Sequence, residues 1–256
     1  MPFLDFVSPI AFVDMLNEMR FGTMKQSSIE AFRRLSREIH YTDGISATEL
    51  FPRREDVDRS NTSRLNALNT NGWSYNAVDG GTVDPLQREK LLSNFMAAKH
   101  IVIKQDAQVM LIKNMDESLV NGSMGIVQGF CHKPLFDVDF NGKWVREMNM
   151  DDLSEEERGK KEKARALMES KLSSTTPLPV VRFKVPGGFR DQIIDFESFK
   201  VELPNGEVQA SRTQVSSSEP MAGPYPDWQL PLILAWAMSI HKSQGQSGLH
   251  AKNAIS

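Results

Sequence analysis

Residues 230–245 have the sequence Leu-Pro-Leu-Ile-Leu-Ala-Trp-Ala-Met-Ser-Ile-His-Lys-Ser-Gln-Gly, and this stretch decides the fold. Its first half is an unbroken apolar run of strand length, which is typical of a strand buried on both faces of a parallel sheet. Its second half carries the polar residues Ser239, His241, Lys242, Ser243 and Gln244 and ends at Gly245. Open α/β sheets bind ligands at the carboxyl ends of their strands, so this pattern predicts a site there. An alternative is a buried strand that runs into a helix capped by Ser239 or Ser243.

Length and composition are those of an ordinary soluble globular protein. The chain has 256 residues, of which 25% are charged and 40% hydrophobic, so it can bury a large core in one or two domains. No apolar stretch reaches the roughly 18 residues that a membrane-spanning helix needs. The first residues match neither a secretory signal nor a transit peptide, and we expect no membrane association.

Cysteine content and charge narrow the class of protein further. The single cysteine, Cys131, excludes an intrachain disulfide and suits a reducing compartment. With one cysteine, the five scattered histidines make no zinc pattern. The net charge of −3 argues mildly against nucleic-acid binding, for which a basic pI is the usual indication. A protein that moves along a single nucleic-acid strand, however, needs only a local groove of hydrogen-bond donors. The net charge is therefore weak evidence against nucleic-acid binding.

Residues 235–245, Ala-Trp-Ala-Met-Ser-Ile-His-Lys-Ser-Gln-Gly, resemble a late motif of the Pif family of DNA helicases. Other segments resemble the same family: Phe-Val-Asp-Met-Leu-Asn-Glu-Met-Arg at 12–20, the fourth helicase motif at 47–61, Val-Met-Leu-Ile-Lys-Asn at 109–114 and Leu-Val-Asn-Gly-Ser-Met-Gly at 119–125. The last two resemble the place where the second motor lobe passes into an inserted barrel. The resemblance covers most of residues 10–247 and is weakest from 131 to 190.

This resemblance implies an ATP-dependent helicase of superfamily one that moves 5′ to 3′ on single-stranded DNA in replication, repair, recombination and telomere maintenance. It implies an α/β fold, in which a RecA-like parallel-sheet lobe carries an inserted small SH3-like β barrel. The expected divisions are 1–118 for the first part of this second motor lobe, 119–227 for the barrel with a charged helical insertion near 150–171, and 228–256 for a truncated return to the lobe. Single-stranded DNA and a missing N-terminal ATPase lobe are the implied partners of a monomer, in the nucleus, the mitochondrion or both.

The residues themselves also predict secondary structure along the chain. Helices are expected at 9–20, from 27 or 28 to 38, at 53–68 and at 85–98, with strands at 45–50, 73–79 and 108–114. Short strands are expected at 125–130, 135–140, 143–147, 179–185, 191–196 and 207–212, which favours an antiparallel barrel or sandwich. Asn121-Gly122 is a strong hairpin signal, and 150–171 suits a solvated helix or a mobile insertion. Because the runs around Met110 and Leu234 are both apolar, we expect them to be neighbours in one parallel sheet.

The resemblance also assigns a site. The residues implied as contacts to the DNA backbone are Thr48, Asn61, Lys113, Asn121, His241, Lys242, Ser243 and Gln244, and those implied in coupling to ATP are Gln244 and Gly245. A threonine near the end of a strand that feeds a helix suits a phosphate contact, because hydroxyls and helix N-termini favour anions. Structural alternatives stay open: Thr48 as a strand residue, Asn61 as a helix-surface amide, Lys113 as a surface lysine on an apolar stem and Asn121 as a turn former.

The sequence lacks the groups that would hydrolyse ATP. It contains no Gly-x-x-x-x-Gly-Lys-Ser/Thr loop, no strand ending in paired acids for Mg²⁺, and no late arginine motif after Gly245. The resemblance implies ATP and Mg²⁺ as cofactors of the full-length family, and we expect neither to bind tightly to this chain alone. We therefore expect no catalytic residue and no metal site. Two alternatives are a non-enzymatic fragment that binds single-stranded DNA, and a truncated gene model or mobile-element remnant.

Overall fold

The computed structural model describes residues 9–35, 44–93, 98–139, 141–145, 154–172, 175–215 and 228–243. The chain forms two compact units, one of residues 1–42 with 254–256 and the other of residues 43–253. No helix in the described ranges is long and apolar enough to cross a membrane.

The first unit contains two helices, α1 (Pro9–Phe21) and α2 (Gln26–Leu35). They pack through apolar side chains, because Met15 is buried and the rings of Phe12 and Phe32 lie 6.3 Å apart. An ion pair of 2.9 Å between Glu18 and Lys25 closes the turn between them. Both predicted helices are confirmed, although the predicted end of the second, at residue 38, lies outside the described residues.

The second unit alternates strands with a few helices. Its helices are α3 (Arg54–Ala67), α4 (Pro85–Leu92), α5 (Glu155–Leu172) and α6 (Ile240–Ser243), with a 3₁₀ turn at Lys133–Leu135. Its strands are β1 (Glu49–Phe51), β2 (Gly72–Gly80), β3 (His100–Lys104), β4 (Gln108–Leu111), β5 (Met124–Cys131), β6 (Leu178–Val185), β7 (Gly188–Ile193), β8 (Glu197–Glu202), β9 (Val208–Val215), β10 (Trp228–Gln229), β11 (Leu232–Leu234) and β12 (Ala237–Ser239).

These strands form three sheets within the described residues. One is a parallel pair of β1 and β12. The other two are antiparallel five-stranded sheets in the orders β10-β8-β9-β2-β3 and β11-β4-β5-β6-β7. The fold is therefore mixed α/β, and parallel pairing of described strands is confined to β1 and β12.

The strand β4 lies at the centre of the hydrophobic core, with buried side chains on both of its faces. Val109 and Leu111 point into the larger cluster, which also contains Tyr75 from β2 and Phe183 from β6. Met110 belongs to a second cluster with Ile45, Ile112, Met124, Ala235 and Met238. Because apolar neighbours cover both faces, this strand has a continuous apolar sequence although it pairs antiparallel.

The stretch at 230–239 is two short strands, and its predicted direction was wrong. Leu232–Leu234 does lie beside β4, with Ile233 opposite Met110, but the pairing is antiparallel. After Ala235 and Trp236 the chain leaves that sheet, and Ala237–Ser239 pairs parallel with β1. An apolar run indicates burial on both faces but carries no information on strand direction, which the connections decide.

Several other predictions need correction within the inserted region. The strands expected at 135–140 and 143–147 are represented in the described residues by a single bridge between Val138 and Trp144. There Asp139 accepts hydrogen bonds from the backbone N–H groups of Asn141 and Lys143, which forms a turn instead. Strands β3 and β8 were not predicted. The helix expected at 150–171 is confirmed as α5, which buries none of its described side chains.

The antiparallel pairing is continuous across residue 118, where the sequence placed a domain boundary. Strands β4 and β5 pair with Val109 opposite Gly125, although the boundary lies between them. Likewise β2, which had been assigned to the motor lobe, pairs with β9, which had been assigned to the barrel. Strand pairing thus connects residues on both sides of the predicted division.

Candidate nucleic-acid interface

The polar end of the stretch at 230–245 forms a short helical turn directly after β12. Ser239 is buried at the end of the strand, His241 is exposed, and the hydroxyl of Ser243 donates to the carbonyl of Ile240 at 2.8 Å. Because β1 and β12 run parallel, with Phe51 opposite Ser239, their carboxyl ends meet at this edge. The side chain of Lys242 and all of Gln244 and Gly245 lie outside the described residues. We name Ile240–Ser243 the polar turn.

Asn61 holds the strand that leads to the polar turn. Its side chain lies on α3 and is only 8% exposed. The Nδ2 group donates to the carbonyl of Ala237 at 3.0 Å, and Oδ1 accepts from the N–H of the same residue at 2.9 Å. One amide therefore satisfies both polar groups of a buried backbone unit, as a neighbouring strand would. The alternative of Asn61 as a helix-surface amide is wrong.

Thr48 bonds to the same stretch from the residue before β1. Its hydroxyl donates to the carbonyl of Ala235 at 2.8 Å. The backbone N–H of Glu49 donates to the carbonyl of Trp236 at 2.8 Å, one residue further along. The hydrogen bond of Thr48 is thus one of those that align β1 with β12. This contact agrees with the alternative assignment of Thr48 as a strand residue.

Gln108 completes this set, and the sequence analysis missed it. Its amide is 1% exposed and bonds to Ser46 through both ends, with Oε1 accepting from the backbone N–H at 2.8 Å and Nε2 donating to the carbonyl at 3.0 Å. Nε2 also donates to the carbonyl of Ala235 at 2.9 Å. A glutamine at the start of an otherwise apolar, buried strand was the available signal, because buried amides are normally hydrogen-bonded. We name this set the amide bracket; it consists of the side-chain amides of Gln108 and Asn61 and the hydroxyl of Thr48.

Lys113 bonds to a different part of the chain. Its ammonium lies 2.8 Å from a carboxylate oxygen of Glu197 and 5.6 Å from the ring centroid of Phe199. Both charged side chains are about 40% exposed, so an ion pair of this kind contributes on the order of 0–1 kcal/mol. The contacts connect the residues after β4 to β8, and the predicted DNA contact of Lys113 stays a prediction.

Asn121 lies in the turn between β4 and β5, as the hairpin signal indicated. Gly122 adopts a φ of 96°, which favours glycine, and the N–H of Asn121 donates to the side-chain oxygen of Asn114 at 2.7 Å. The side-chain oxygen of Asn121 is buried without a hydrogen-bond partner among the described residues. The turn role of Asn121 is therefore confirmed, whereas its DNA contact is untested.

Asp116 accepts the hydrogen bonds that hold the loop before Asn121. This carboxylate accepts from the hydroxyl and N–H of Ser118, each at 2.8 Å, and pairs with Arg190 at 2.7 Å. The hydrogen bonds from Ser118, followed by those from Arg190, hold the pKa of Asp116 far below its usual value. The loop is thus fixed against β7.

Comparisons with known proteins identify the family. A family model described as "DNA helicase Pif1, 2B domain" matches residues 88–130. The ATP-dependent DNA helicase PIF1 of Emericella nidulans is 44% identical to the chain over 242 residues, covering 92% of this chain and 30% of the relative. The crystal structure of Pif1 helicase from Candida albicans matches with a TM-score of 0.61 and 35% identity, covering 91% of this chain and 45% of that one. By sequence and by fold, the chain belongs to the Pif1 helicase family.

The resemblance to the Pif family is therefore confirmed, and the match covers only part of each relative. The chain spans about 30% of the length of the curated relatives it matches, including the ATP-dependent DNA helicase PIF1 of Candida albicans at 31% identity and 29% of its length. This partial coverage fits a C-terminal portion of a Pif1-family protein. The 2B-domain model begins at residue 88, well before the predicted boundary at 119.

Pif1-family helicases use ATP and Mg²⁺. In the described part of this chain, no group of three or more His, Cys, Asp or Glu side chains is placed to hold a metal ion. The residues predicted to couple to ATP, Gln244 and Gly245, lie outside that part. The described residues place the polar turn at the edge of the β1 and β12 pair, and the buried amides of Asn61 and Gln108 hold the preceding residues in place.

Proposed function

We propose that the chain is the second motor lobe, with its inserted β domain, of an ATP-dependent 5′-to-3′ DNA helicase, and that the polar turn binds the backbone of single-stranded DNA. One observation carries this proposal. The three side chains of the amide bracket fix residues 235–237, the part of the chain that leads directly to His241, Lys242 and Ser243. The 44% identity to a relative named as an ATP-dependent DNA helicase supports the same function.

The two kinds of predicted DNA contact have different roles in this proposal. Lys242 supplies a positive charge and the exposed ring of His241 supplies a hydrogen-bonding group, both of which suit phosphate oxygens. Thr48 and Asn61 use their polar groups on the backbone of Ala235 and Ala237. We infer that they act as positioning residues, which affect DNA through the turn that they hold.

Coupling to ATP follows from the same arrangement. Gln244 and Gly245 come directly after the polar turn in the sequence. Binding of a nucleotide to these two residues would therefore shift the polar turn, with its DNA contact, together with β12. The phosphate-binding loop and the Mg²⁺ site would belong to an N-terminal ATPase lobe, which is the proposed protein partner. The complete protein would act as a monomer on nuclear or mitochondrial DNA, in replication, repair, recombination and telomere maintenance.

We further infer that the inserted domain begins before residue 119 and is of the SH3-like barrel type. Its proposed extent takes in β3 and β4, because these strands belong to the two antiparallel sheets that share the larger core cluster. The start of the 2B-domain model at residue 88 supports the earlier boundary. The proposed motor-lobe residues are then those of β1, α3, β12 and the polar turn.

The purified chain is expected to hydrolyse no ATP, with or without single-stranded DNA. The reason is that its sequence contains neither a phosphate-binding loop nor the late arginine motif. Phosphate release should equal that of a control without protein. Release that rises when an oligothymidine is added would contradict this expectation.

The same chain is expected to bind DNA weakly. A non-specific contact has a dissociation constant of roughly 10⁻⁴ to 10⁻⁶ M at physiological salt, and one motor lobe should give the weak end of this range. Fluorescence anisotropy with a labelled oligothymidine should show binding that weakens as salt rises. Equal or stronger binding to a duplex of the same length would contradict the proposed preference for a single strand.

A further inference from the structure

A cavity of about 520 Å³ lies away from the polar turn, between α4, β2 and β9. Two carboxylates, Asp79 and Glu89, and three cations line it, the cations being Arg88, Lys99 and Arg212. The described part of the lining therefore carries one positive charge in excess. A cationic cavity built from separate elements of the fold suits an anion.

Two of the three cations, Arg212 and Lys99, already contact Asp79. Nε of Arg212 lies 2.7 Å from one oxygen of Asp79, and its Nη2 lies 3.1 Å from the other. Burial of Asp79 disfavours its charge, but pairing with Arg212 outweighs this and holds the pKa of Asp79 below its usual value. Asp79 is thus ionised and contacts both Arg212 and Lys99, which leaves Arg88 and Glu89 as the other charged groups of the described lining.

Arg88 carries a charge that its own contacts do not balance. Its two Nη groups donate to the backbone carbonyls of Asp79 and Val83, at 3.1 and 3.2 Å, and both of these acceptors are neutral. Its Nε is buried without a hydrogen-bond partner among the described residues. The guanidinium therefore keeps a charge that the described contacts do not balance.

Lys99 lies at the mouth of the same cavity. Its side chain is 68% exposed, and its ammonium is 3.7 Å from a carboxylate oxygen of Asp79, the oxygen that also accepts from Arg212. A carboxylate shared in this way neutralises Lys99 only in part. The lysine ammonium and the arginine guanidinium are side-chain groups that proteins commonly use to bind phosphate.

We propose that this cavity binds a phosphodiester group of the DNA strand, as a second backbone contact supplied by the inserted domain. The inference rests on the proposed function of the polar turn. The described lining residues are charged or aliphatic, so what they offer to a ligand is charge. Arg88 and Lys99 bind the phosphate oxygens, and Arg212 keeps Asp79 from repelling them.

The test is the salt dependence of oligothymidine binding by the full chain carrying Lys99→Ala or Arg88→Gln. Each lost phosphate contact should raise the dissociation constant at low salt and make the log–log salt slope shallower by roughly 0.7 to 1. Lys143→Ala, at an exposed lysine outside the cavity lining, is the matched control and should leave the slope unchanged. Because Lys99 is exposed, its variant should melt like the wild type and carries the test if Arg88→Gln unfolds.

The outcomes separate this inference from the proposed function. A slope that is unchanged in Lys99→Ala but shallower in Lys242→Ala would overturn the cavity contact and leave the polar turn standing. Absence of binding by the wild type would overturn both. Inorganic phosphate should displace the oligothymidine no better than chloride at equal ionic strength. Displacement by phosphate that is stronger for the wild type than for Lys99→Ala would assign the cavity to free phosphate instead of DNA.

Discussion

Asn61→Ala is expected to lower the free energy of unfolding of the second unit by about 3 kcal/mol. The substitution leaves the N–H and the carbonyl of Ala237 without their partner, and Ala237 is only 2% exposed. A buried backbone group without a hydrogen bond costs about 1–3 kcal/mol, and two such groups are created together. Urea denaturation followed by circular dichroism measures the change in unfolding free energy.

The matched control for this prediction is Asn66→Ala, at an exposed asparagine of the same helix. Its unfolding free energy should change by less than about 0.5 kcal/mol, because surface substitutions of this kind are usually close to neutral. Similar midpoints for the two variants would show that the bonds of Asn61 to Ala237 do not hold β12. If these bonds do hold β12, Asn61→Ala should also bind oligothymidine more weakly than the wild type at temperatures where the variant is still folded.

Asp191→Ala should destabilise the same unit by about 3 kcal/mol. The carboxylate side chain is 1% exposed, makes two bonds of 2.7 Å to Arg182 and accepts from the N–H of Trp144 at 2.8 Å. Removing one partner of a buried ion pair costs about 3–5 kcal/mol, because the other charge is left uncompensated. Arg182 is 31% exposed and water can reach part of it, so we expect the lower end of that range.

Glu156→Ala is the control for the Asp191 prediction. Glu156 pairs with Lys160 on α5 at 2.7 Å, but both side chains are more than 70% exposed. Exposed pairs contribute less than about 1 kcal/mol. Thermal and urea unfolding of both variants would therefore separate a buried from an exposed ion pair, and equal destabilisation would contradict the burial of Asp191.

The sequence predicted a polar segment directly after a buried strand, but it did not predict how that segment is held in place. Residues 230–245 combine an apolar run with a polar end, and the polar turn does follow β12 directly. Thr48 and Asn61 were found through their motif, yet both bond to the backbone of 235–237. A motif gives residue identity, whereas the atoms that a side chain contacts depend on long-range packing.

Strand direction and the identification of β3 were the weaker predictions. β4 is apolar at every position after Gln108, and such a run is compatible with parallel or antiparallel neighbours. β3 has the sequence His-Ile-Val-Ile-Lys, a short apolar run that the sequence analysis did not assign to a strand; in the structure Ile101 and Ile103 are buried. Both strands lie before residue 119, and the sheets to which they belong also contain strands that follow it.

The central claim, that the polar turn contacts a DNA phosphate, is tested most directly by the salt dependence of single-strand binding in Lys242→Ala. Anisotropy titrations of a labelled oligothymidine at three salt concentrations give the log–log slope for the wild type, for Lys242→Ala and for the Lys143→Ala control. We expect a slope shallower by roughly 0.7 to 1 in Lys242→Ala, equally for oligonucleotides of different sequence, and no change in the control. Measurable wild-type binding with an unchanged slope in Lys242→Ala would contradict it.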